Sequence, residues 1–376
     1  MQQCPDEWFG SPTDVGVQLS RHSHSRAARR RLQRDRRSAS SMDIITQVAI
    51  ADFASSHPEL HHYTNFPGLE GIHKSQTLWA INYRHLNDTK EVKVLEKPLI
   101  EALTKRFSSL LEDRQRGSPQ FRQAIEETGG RIAEIAADQA TRVVQGFYDS
   151  LPEIYVTSFC THANDPYAKE HGLLSQWRGY GGQDGGYCIV FDTAALIELL
   201  QRESRARYWL MPLKLAQVQY RTAELSVEDV FAPLLIETHK LFSALLDDTK
   251  IPEKALGNFL LAASLLKHQG FREEHEARMV AIPSTQHDLD GLRAKYGDMS
   301  FPPLKAIRSK NGVAGSRQFV ALFESLYREL PIRRVIVGPS RNQDKNFTKA
   351  LELLGSGIKT ERSDTPFIEE QPSSHC

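Results

Sequence analysis

Apolar residues recur along the chain with two periods, and each period predicts a different kind of element. Residues 89–113 and 119–150 carry apolar side chains three or four positions apart, which is the spacing of one helix face. Shorter apolar runs bounded by glycine, proline or asparagine predict strands. The predicted strands cover residues 60–64, 78–81, 153–160, 187–192, 271–282, 318–322 and 334–337, with one or two more within 207–220. The other predicted helices cover residues 43–56, 68–74, 225–247 and 253–267, or begin near Thr193 and Asn342.

The order of these elements predicts the fold class. Helices and strands are mixed without the regular alternation of a doubly wound sheet, which favours an α+β fold with a mixed or mainly antiparallel sheet. The two long helical segments fill residues 89–150, and we interpret them as an insertion packed on the same domain. Within them, Pro98 predicts a kink or a break, and Gly129-Gly130 predicts a second break. We therefore expect a single domain over residues 42–368.

Composition limits the classes of protein to which the chain can belong. Its 376 residues include 47 basic and 47 acidic side chains, so the whole chain has no net attraction to nucleic acid or to a membrane surface. It has no run of about 18 apolar residues, so we expect no membrane span. The four cysteines form no Cys-x-x-Cys pair, which is typical of reduced thiols in a cytoplasmic protein.

The first 41 residues differ from the remainder of the chain. Residues 21–37 contain eight arginines and one acidic residue, and apolar residues are few, so we expect disorder over residues 1–41 and in a tail over 369–376. Three interpretations compete: a basic arm that contacts nucleic acid, a transit peptide, or an upstream start codon with Met42 as the true start. We favour the third, because Met42 directly precedes the predicted helix at 43–56.

A segment rich in glycine carries side chains suited to recognition. Trp177 and Tyr180 can stack on a flat ring, and Arg178 can form a bidentate pair with a phosphate or carboxylate. Glycines around them allow the backbone to approach a ligand closely. The structural alternative is a mobile loop held by an ordinary core tryptophan. The glycines precede a predicted strand, so the segment is neither a Rossmann nor a Walker motif.

The predicted strand at 271–282 places charges on one of its faces. Side chains alternate along a strand, so Arg272, Glu274, Glu276 and Arg278 share a face. The structural interpretation is a solvated face with cross-strand ion pairs. The functional interpretation is a catalytic carboxylate held by neighbouring arginines.

Metal chemistry and cysteine catalysis have little support in the sequence. The 14 histidines include no His-Glu-x-x-His motif, and the cysteines lack the spacing of zinc ligands, so we expect no metal. Cys160 and Cys188 lie within apolar strands, where thiols are usually inert. His61 and His62 are adjacent on a strand, so at most one of them can face a given pocket.

Several short blocks together resemble a known family. They are His62-Tyr63-Thr64, Leu78-Trp79-Ala80, Leu86-Asn87-Asp88 with Glu91, residues 174–181, Gly186, Phe191-Asp192, Lys267-His268, Gly270-Phe271, Glu273-Glu274, Glu276-Ala277-Arg278 and residues 335–339. Their order and spacing resemble the bacterial family called domain of unknown function 2971, over residues 60–365. One departure is Ala277, where the family pattern has a tryptophan before the arginine.

The opening of the domain is also similar to the ADP-ribosyltransferase superfamily. The shared pattern is a strand ending in His-Tyr-Thr, a short helix and then Leu-Trp-Ala. This resemblance implies a split sheet, NAD as the substrate and a toxin or defence role. It further implies that His62, with Tyr63 and Thr64, holds the ribose, and that Glu276, or Glu274 as the alternate, is the catalytic carboxylate. The remaining implied contacts are stacking by Trp79, Trp177 or Tyr180 and pyrophosphate binding by Arg178.

Two other functions are compatible with the sequence. The aromatic and cationic residues of the glycine-rich segment suffice for a binding module without catalysis, whose ligand is a nucleotide or a macromolecular partner. The basic residues at 21–37 would suffice for nucleic-acid binding through phosphate contacts.

Overall fold

The structure is a computed structural model that describes part of the chain. It covers residues 52–85, 91–162, 165–182, 184–221, 227–247, 249, 254–297, 300–312 and 315–366. From Ala54 onward these residues belong to one compact unit. The basic segment, the C-terminal tail, both predicted domain boundaries and the predicted turn at 86–88 lie outside them. Of the predicted helix at 43–56, residues 52–56 are described and are helical.

Twelve strands are defined in the described residues. They are β1 (Glu59–Thr64), β2 (Leu78–Asn82), β3 (Tyr155–Cys160), β4 (Tyr187–Asp192), β5 (Trp209–Gln217), β6 (Gln219–Arg221), β7 (Leu266–His268), β8 (Glu276–Pro283), β9 (Ile307–Gly312), β10 (Gly315–Leu322), β11 (Ile332–Val337) and β12 (Lys359–Arg362). Every strand predicted from the sequence overlaps one of them, and β7, β9 and β12 were not predicted.

The helices follow the same order along the chain. They are α1 (Phe66–Ser75), α2 (Glu96–Gly117), α3 (Pro119–Glu127), α4 (Ile132–Asp149), α5 (Pro166–His171), α6 (Leu174–Tyr180), α7 (Thr193–Ala206), α8 (Val227–Val230), α9 (Ala232–Leu246), α10 (Lys254–Leu265), α11 (Gln286–Tyr296) and α12 (Gln343–Leu354). Short 3₁₀ turns cover Tyr83–His85, Glu91–Leu95 and Gln269–Glu274. Pro98 falls in the first turn of α2, where a missing N–H leaves no helical bond unmade. Gly129 and Gly130 separate α3 from α4 with positive φ angles.

Ten strands form one sheet, and β6 and β7 form a separate parallel pair. The strand order is β12-β11-β4-β1-β3-β2-β10-β9, and β8 lies on the other edge of β3 with β5 beyond it. Among the described strands of this sheet, only β11 and β12 pair in parallel. The predicted α+β class with a mainly antiparallel sheet is therefore confirmed.

The sheet splits at β3. Along one edge β3 pairs with β8 over its whole length, from Tyr155 to Cys160. On its other edge β2 pairs with Tyr155 and Val156, whereas β1 meets β3 only where His61 lies opposite Cys160. Residues 157–159 therefore lie between two strands that diverge. This divergence leaves room for side chains and a ligand within the sheet.

The helices of residues 96–149 pack against α9, α10 and one face of the sheet. Their apolar stripes and the sheet residues Val156, Val280 and Ile282 form one buried cluster. Burial of these stripes, at roughly 25 cal/mol per Å² of apolar surface, stabilises the helical region. The cluster packs against Val156 on β3 and Val280 on β8, so the split edge of β3 is held by a packed core.

The strand predicted over residues 271–282 begins later than expected. Gln269–Glu274 form a 3₁₀ turn, and His275 adopts a left-handed conformation with φ of 42° before β8 starts at Glu276. Every residue of β8 is buried, because β3 and β5 flank it on both edges. The interpretation of Glu276 and Arg278 as part of a solvated face is therefore wrong.

Candidate functional site

A cavity of about 230 Å³ opens where β1 and β2 diverge from β3. Its walls come from β1, β2, β3, β8, β10, the helix α6 and the turn before β8. Six of the nine predicted site residues line it: His62, Tyr63, Trp79, Tyr180, Glu274 and Glu276. The sheet thus brings together residues more than 200 positions apart in the chain.

The other three predicted site residues lie away from the cavity walls. Thr64 is at the end of β1, and its hydroxyl packs against Gly68. A Cβ on Gly68 would lie 1.9 Å from Oγ1 of Thr64. Trp177 and Arg178 are both residues of α6. The side chain of Trp177 is buried, and that of Arg178 is exposed.

Glu276 is a buried carboxylate held by two cations. Arg278 donates from Nε to Oε1 at 2.7 Å and from Nη2 to Oε2 at 3.1 Å, and Lys267 Nζ donates to Oε2 at 3.0 Å. Burial raises the pKa of Glu276, but Arg278, Lys267 and a bond from the Ser158 side chain outweigh it, and the pKa lies below its usual value. The charged form is therefore stabilised.

Glu274 shares Lys267 with Glu276 but lies nearer to solvent. Lys267 Nζ donates to Glu274 Oε2 at 2.8 Å, and the side chain of Glu274 is 21% exposed compared with 4% for Glu276. Burial raises the pKa of Glu274, Lys267 lowers it and the charge of Glu276 raises it, with a net increase. The two carboxylates thus have pKa values displaced in opposite directions. In enzymes this arrangement lets one carboxyl group act as an acid while the other stays ionised.

His62 occupies the gap between the diverging strands. Its Nδ1 is 3.0 Å from the carbonyl oxygen of Ser158, so Nδ1 donates that bond and Nε2 is an acceptor in the neutral ring. Burial lowers the pKa of His62. The carbonyl of Ser158 belongs to the stretch of β3 between the diverging strands. No neighbouring strand that the structure describes donates to it there, so the His62 side chain supplies the hydrogen bond.

Two aromatic side chains border the cavity and remain exposed. Trp79 stacks on Phe319 of β10, with ring centroids 3.9 Å apart and planes inclined by 20°. Tyr180 lies at the end of α6 and is 46% exposed. Trp79 is 39% exposed, so both rings are accessible from solvent at the cavity rim.

Trp177 has a structural position that accounts for several glycines. Its Nε1 donates to the carbonyl of His171 at 3.0 Å. A Cβ on Gly172 would be 2.3 Å from its ring, and a Cβ on Gly338 would be 2.6 Å from it. The glycine-rich segment therefore admits a buried indole here, as in the structural alternative considered for the sequence.

Tyr63 connects the cavity wall to a buried histidine pair. Its hydroxyl accepts a bond from Leu173 N–H at 2.8 Å and lies 2.8 Å from Nε2 of His162. The rings of His61 and His162 meet edge to face with centroids 4.8 Å apart. Burial lowers the pKa of His61 to about 4 and that of His162 to about 3, so both rings are neutral near pH 7.

Sequence reasoning missed several residues of the cavity. Lys267, Ser158, Gln176 and Arg317 all line it. Lys267 appeared in the sequence analysis only as part of a family block, and Arg317 lies two residues after Gly315, the first residue of β10, without any motif around it. Pairing between strands distant in sequence, which no local pattern encodes, places them here.

Among the described residues, no group of three or more His, Cys, Asp and Glu side chains is arranged to hold a metal ion. In the same ranges, none of the helices combines the length and hydropathy that a transmembrane helix requires.

Comparison with known proteins identifies one relationship. A family model described as protein of unknown function (DUF2971) matches residues 176–279, a segment that runs from Gln176 in the cavity wall through Glu274 and Glu276. No curated protein and no solved structure gives a significant match. The predicted resemblance to the family of unknown function DUF2971 is thus confirmed over residues 176–279.

Proposed function

We propose that this chain binds NAD in the cavity at the split of the sheet and transfers its ADP-ribose group to an acceptor. The observation that carries the proposal is the convergence of His62, Trp79, Tyr180 and the Glu274–Glu276 pair on one cavity. These are the residue types that the chemistry needs: flat surfaces for the rings, an imidazole for a ribose hydroxyl, and a carboxylate for the developing positive charge.

Glu274 is the carboxylate best placed to act on the ribose. Its side chain is the more exposed of the two, whereas both oxygens of Glu276 are engaged by Arg278 and Lys267. Glu276 then acts through Lys267, whose ammonium group it holds 2.8 Å from Glu274. This assignment makes Glu274 the catalytic residue and Glu276 a positioning residue.

The reaction breaks one bond and forms one bond at the ribose carbon C1. The bond to the nicotinamide nitrogen breaks, and its electron pair leaves with neutral nicotinamide. The oxocarbenium-like ribose is stabilised by the negative charge of Glu274. A lone pair of the acceptor then forms the new bond to C1, and the acceptor proton passes to the Glu274 carboxylate and on to water. Neutral His62 accepts a bond from a ribose hydroxyl through Nε2.

A second candidate function is ligand binding without catalysis. The observation that favours it is the full engagement of Glu276, which is typical of a structural ion pair. In this case the ligand is a nucleotide or a macromolecular partner, and neither carboxylate needs to change its charge.

One experiment separates the two functions. Full-length protein is incubated with NAD labelled in its adenylate, with and without cell lysate, and both nicotinamide release and label transfer are measured. Catalysis predicts that Glu274→Gln lowers nicotinamide release at least about 100-fold, a typical loss when a group that stabilises transition-state charge is removed, while NAD binding persists. The matched control is Glu273→Gln, an exposed neighbour outside the cavity, which should leave the rate unchanged.

The outcomes are distinct. NAD binding that Trp79→Ala weakens, without nicotinamide release in the wild type, would support the binding module. Absence of both binding and release would disprove both functions for NAD. Equal rates for Glu274→Gln and Glu273→Gln would remove Glu274 from the mechanism.

A further inference from the structure

One wall of the cavity carries unneutralised positive charge. Arg317 of β10 lines the cavity, and Lys310 lies directly opposite it on β9. The Nζ of Lys310 is 4.8 Å from the centroid of the Trp79 ring. Residues 305–318 contain four cationic side chains. Lys305 pairs with Glu203 and Arg308 pairs with Glu324, whereas Arg317 and Lys310 have no carboxylate within ion-pair distance in the described residues. This stretch therefore gives the cavity an edge that attracts anions.

Strand register places these cations beside the stacking ring. Residues directly opposite in antiparallel strands share a face of the sheet. Phe319 lies opposite Ile81 on β2 and opposite Arg308 on β9, and Arg317 is two positions from Phe319. Trp79 is likewise two positions from Ile81. Trp79, Arg317 and Lys310 consequently project from one face, in that order toward the β9 edge.

The same face continues to the carboxylates. Ile81 lies opposite Val156 on β3, and Val156 lies opposite Val280 on β8. Glu276 is four positions from Val280, so it projects from the same side. A ligand in the cavity therefore meets carboxylates toward β8 and cations toward β10, with Trp79 between them.

The cations of this region differ in what they already bind. Arg278 and Lys267 hold Glu276, and Arg308 pairs with Glu324 at 2.7 Å. In the ranges that the structure describes, no carboxylate lies within ion-pair distance of Arg317. A guanidinium that lines a cavity without such a partner is suited to bidentate binding of phosphate.

The geometry assigns Arg317, assisted by Lys310, to the diphosphate of a nucleotide one of whose rings stacks on Trp79 in the position that the Lys310 ammonium group has over that ring. This inference rests on the proposed function and deepens it, since it moves the diphosphate from Arg178, which lies outside the cavity, to β10. The ligand class is a nucleoside diphosphate derivative whose ribose points toward Glu274. Adenosine and other uncharged nucleosides would lack this contact.

The test compares four probes on full-length protein by titration calorimetry: NAD, ADP-ribose, adenosine and inorganic diphosphate. Arg317→Gln should weaken ADP-ribose and inorganic diphosphate about tenfold, equivalent to about 1.4 kcal/mol, and leave adenosine unchanged. Lys310→Gln should have a smaller effect of the same sign. Arg308→Gln is the matched control, because Arg308 lies on the same face but is paired with Glu324. Arg317 is exposed, so its variant should keep the wild-type unfolding midpoint.

Each outcome decides one of the two proposals. Loss of ADP-ribose and diphosphate affinity in Arg317→Gln, with a smaller loss in Lys310→Gln and none in Arg308→Gln or Arg178→Gln, supports the assignment. Wild-type affinity for ADP-ribose in Arg317→Gln, or a loss seen instead in Arg178→Gln, overturns the assignment and leaves the proposed function standing. Binding of inorganic diphosphate through Arg317 without any binding of NAD would preserve the anion site and disprove the proposed function.

Discussion

At the scale of single residues, the main contrast is between two glutamates two positions apart. Glu276 is enclosed by Arg278 and Lys267, which hold its pKa below the usual value, whereas burial and the charge of Glu276 raise the pKa of Glu274. The difference arises from the left-handed His275 between them, which ends the 3₁₀ turn and starts the strand. Glu274 consequently lies at the cavity rim and Glu276 within the sheet.

Replacement of Glu276 should cost mainly folding stability. Glu276→Gln removes the carboxylate that Arg278 and Lys267 share, and removal of one partner of a buried ion pair costs roughly 3–5 kcal/mol. We expect that decrease in the free energy of unfolding by urea titration. Exposed Glu273→Gln should change it by less than about 0.5 kcal/mol, and equal stabilities of the two variants would contradict the buried network.

At the scale of elements, the position of α6 depends on how Trp177 docks. Its indole lies between Gly172, which precedes the helix, and Gly338, which follows β11. Gly338 also donates its N–H to the carbonyl of Gly186 at 2.8 Å. The helix is short, so these contacts, more than its own hydrogen bonds, hold Tyr180 at the cavity.

Gly172→Ala should disturb this docking. Gly172 has φ of 76°, and its new Cβ would lie 2.3 Å from the Trp177 ring. The left-handed backbone and the overpacking together should cost about 2–5 kcal/mol, measured by chemical unfolding. Tryptophan fluorescence should shift as the indole moves.

The control is Gly146→Ala in the last turn of α4, where nothing lies within 4 Å of the new Cβ. It should stabilise the protein by roughly 0.5–1 kcal/mol, because alanine loses less conformational entropy on folding. A neutral effect of Gly172→Ala would mean that Trp177 is not seated as described.

At the scale of the whole molecule, folding stability depends on histidines that are buried in neutral form. The pKa of His61 falls to about 4 and that of His162 to about 3, mainly through burial. The unfolded chain binds protons below about pH 6.5, whereas the folded chain does not until pH 4 or lower. The free energy of unfolding is therefore unaffected by these two histidines above about pH 6.5 and decreases as the pH falls below that value.

Below about pH 6.5 the free energy of unfolding should decrease by up to about 1.4 kcal/mol per pH unit for each of the two histidines. Urea unfolding at intervals between pH 7 and pH 5 measures it, since most carboxylates remain ionised in that window. Glu274, whose pKa is raised, contributes with the opposite sign. His162→Asn, which tolerates the positive φ at this position, should flatten the profile. A wild-type stability that is independent of pH over this range would contradict the buried neutral pair.

Much of the fold was predictable because its signals are local. Apolar periodicity located the strands from β1 to β4 and the long helices, and Gly129-Gly130 marked the break between α3 and α4. The predicted start of β8 was wrong by five residues, because Arg272 and Glu274 continue the every-second-residue spacing of Glu276 and Arg278 while the backbone forms a 3₁₀ turn. Periodicity alone does not distinguish these two conformations over so short a stretch.

The sequence by itself determined the α+β class, most element positions and the set of residue types from which a site is built. Only the tertiary structure decided which of those residues meet. It gathered His62, Trp79, Tyr180 and Glu274 at the split of β3, buried Glu276 among cations, and left Arg178 outside. The physical reason is that element formation depends on neighbours three or four positions apart, whereas the cavity depends on strand register between β1, β3, β8 and β10. Register follows from burial of whole sheet faces, which no single segment of sequence specifies.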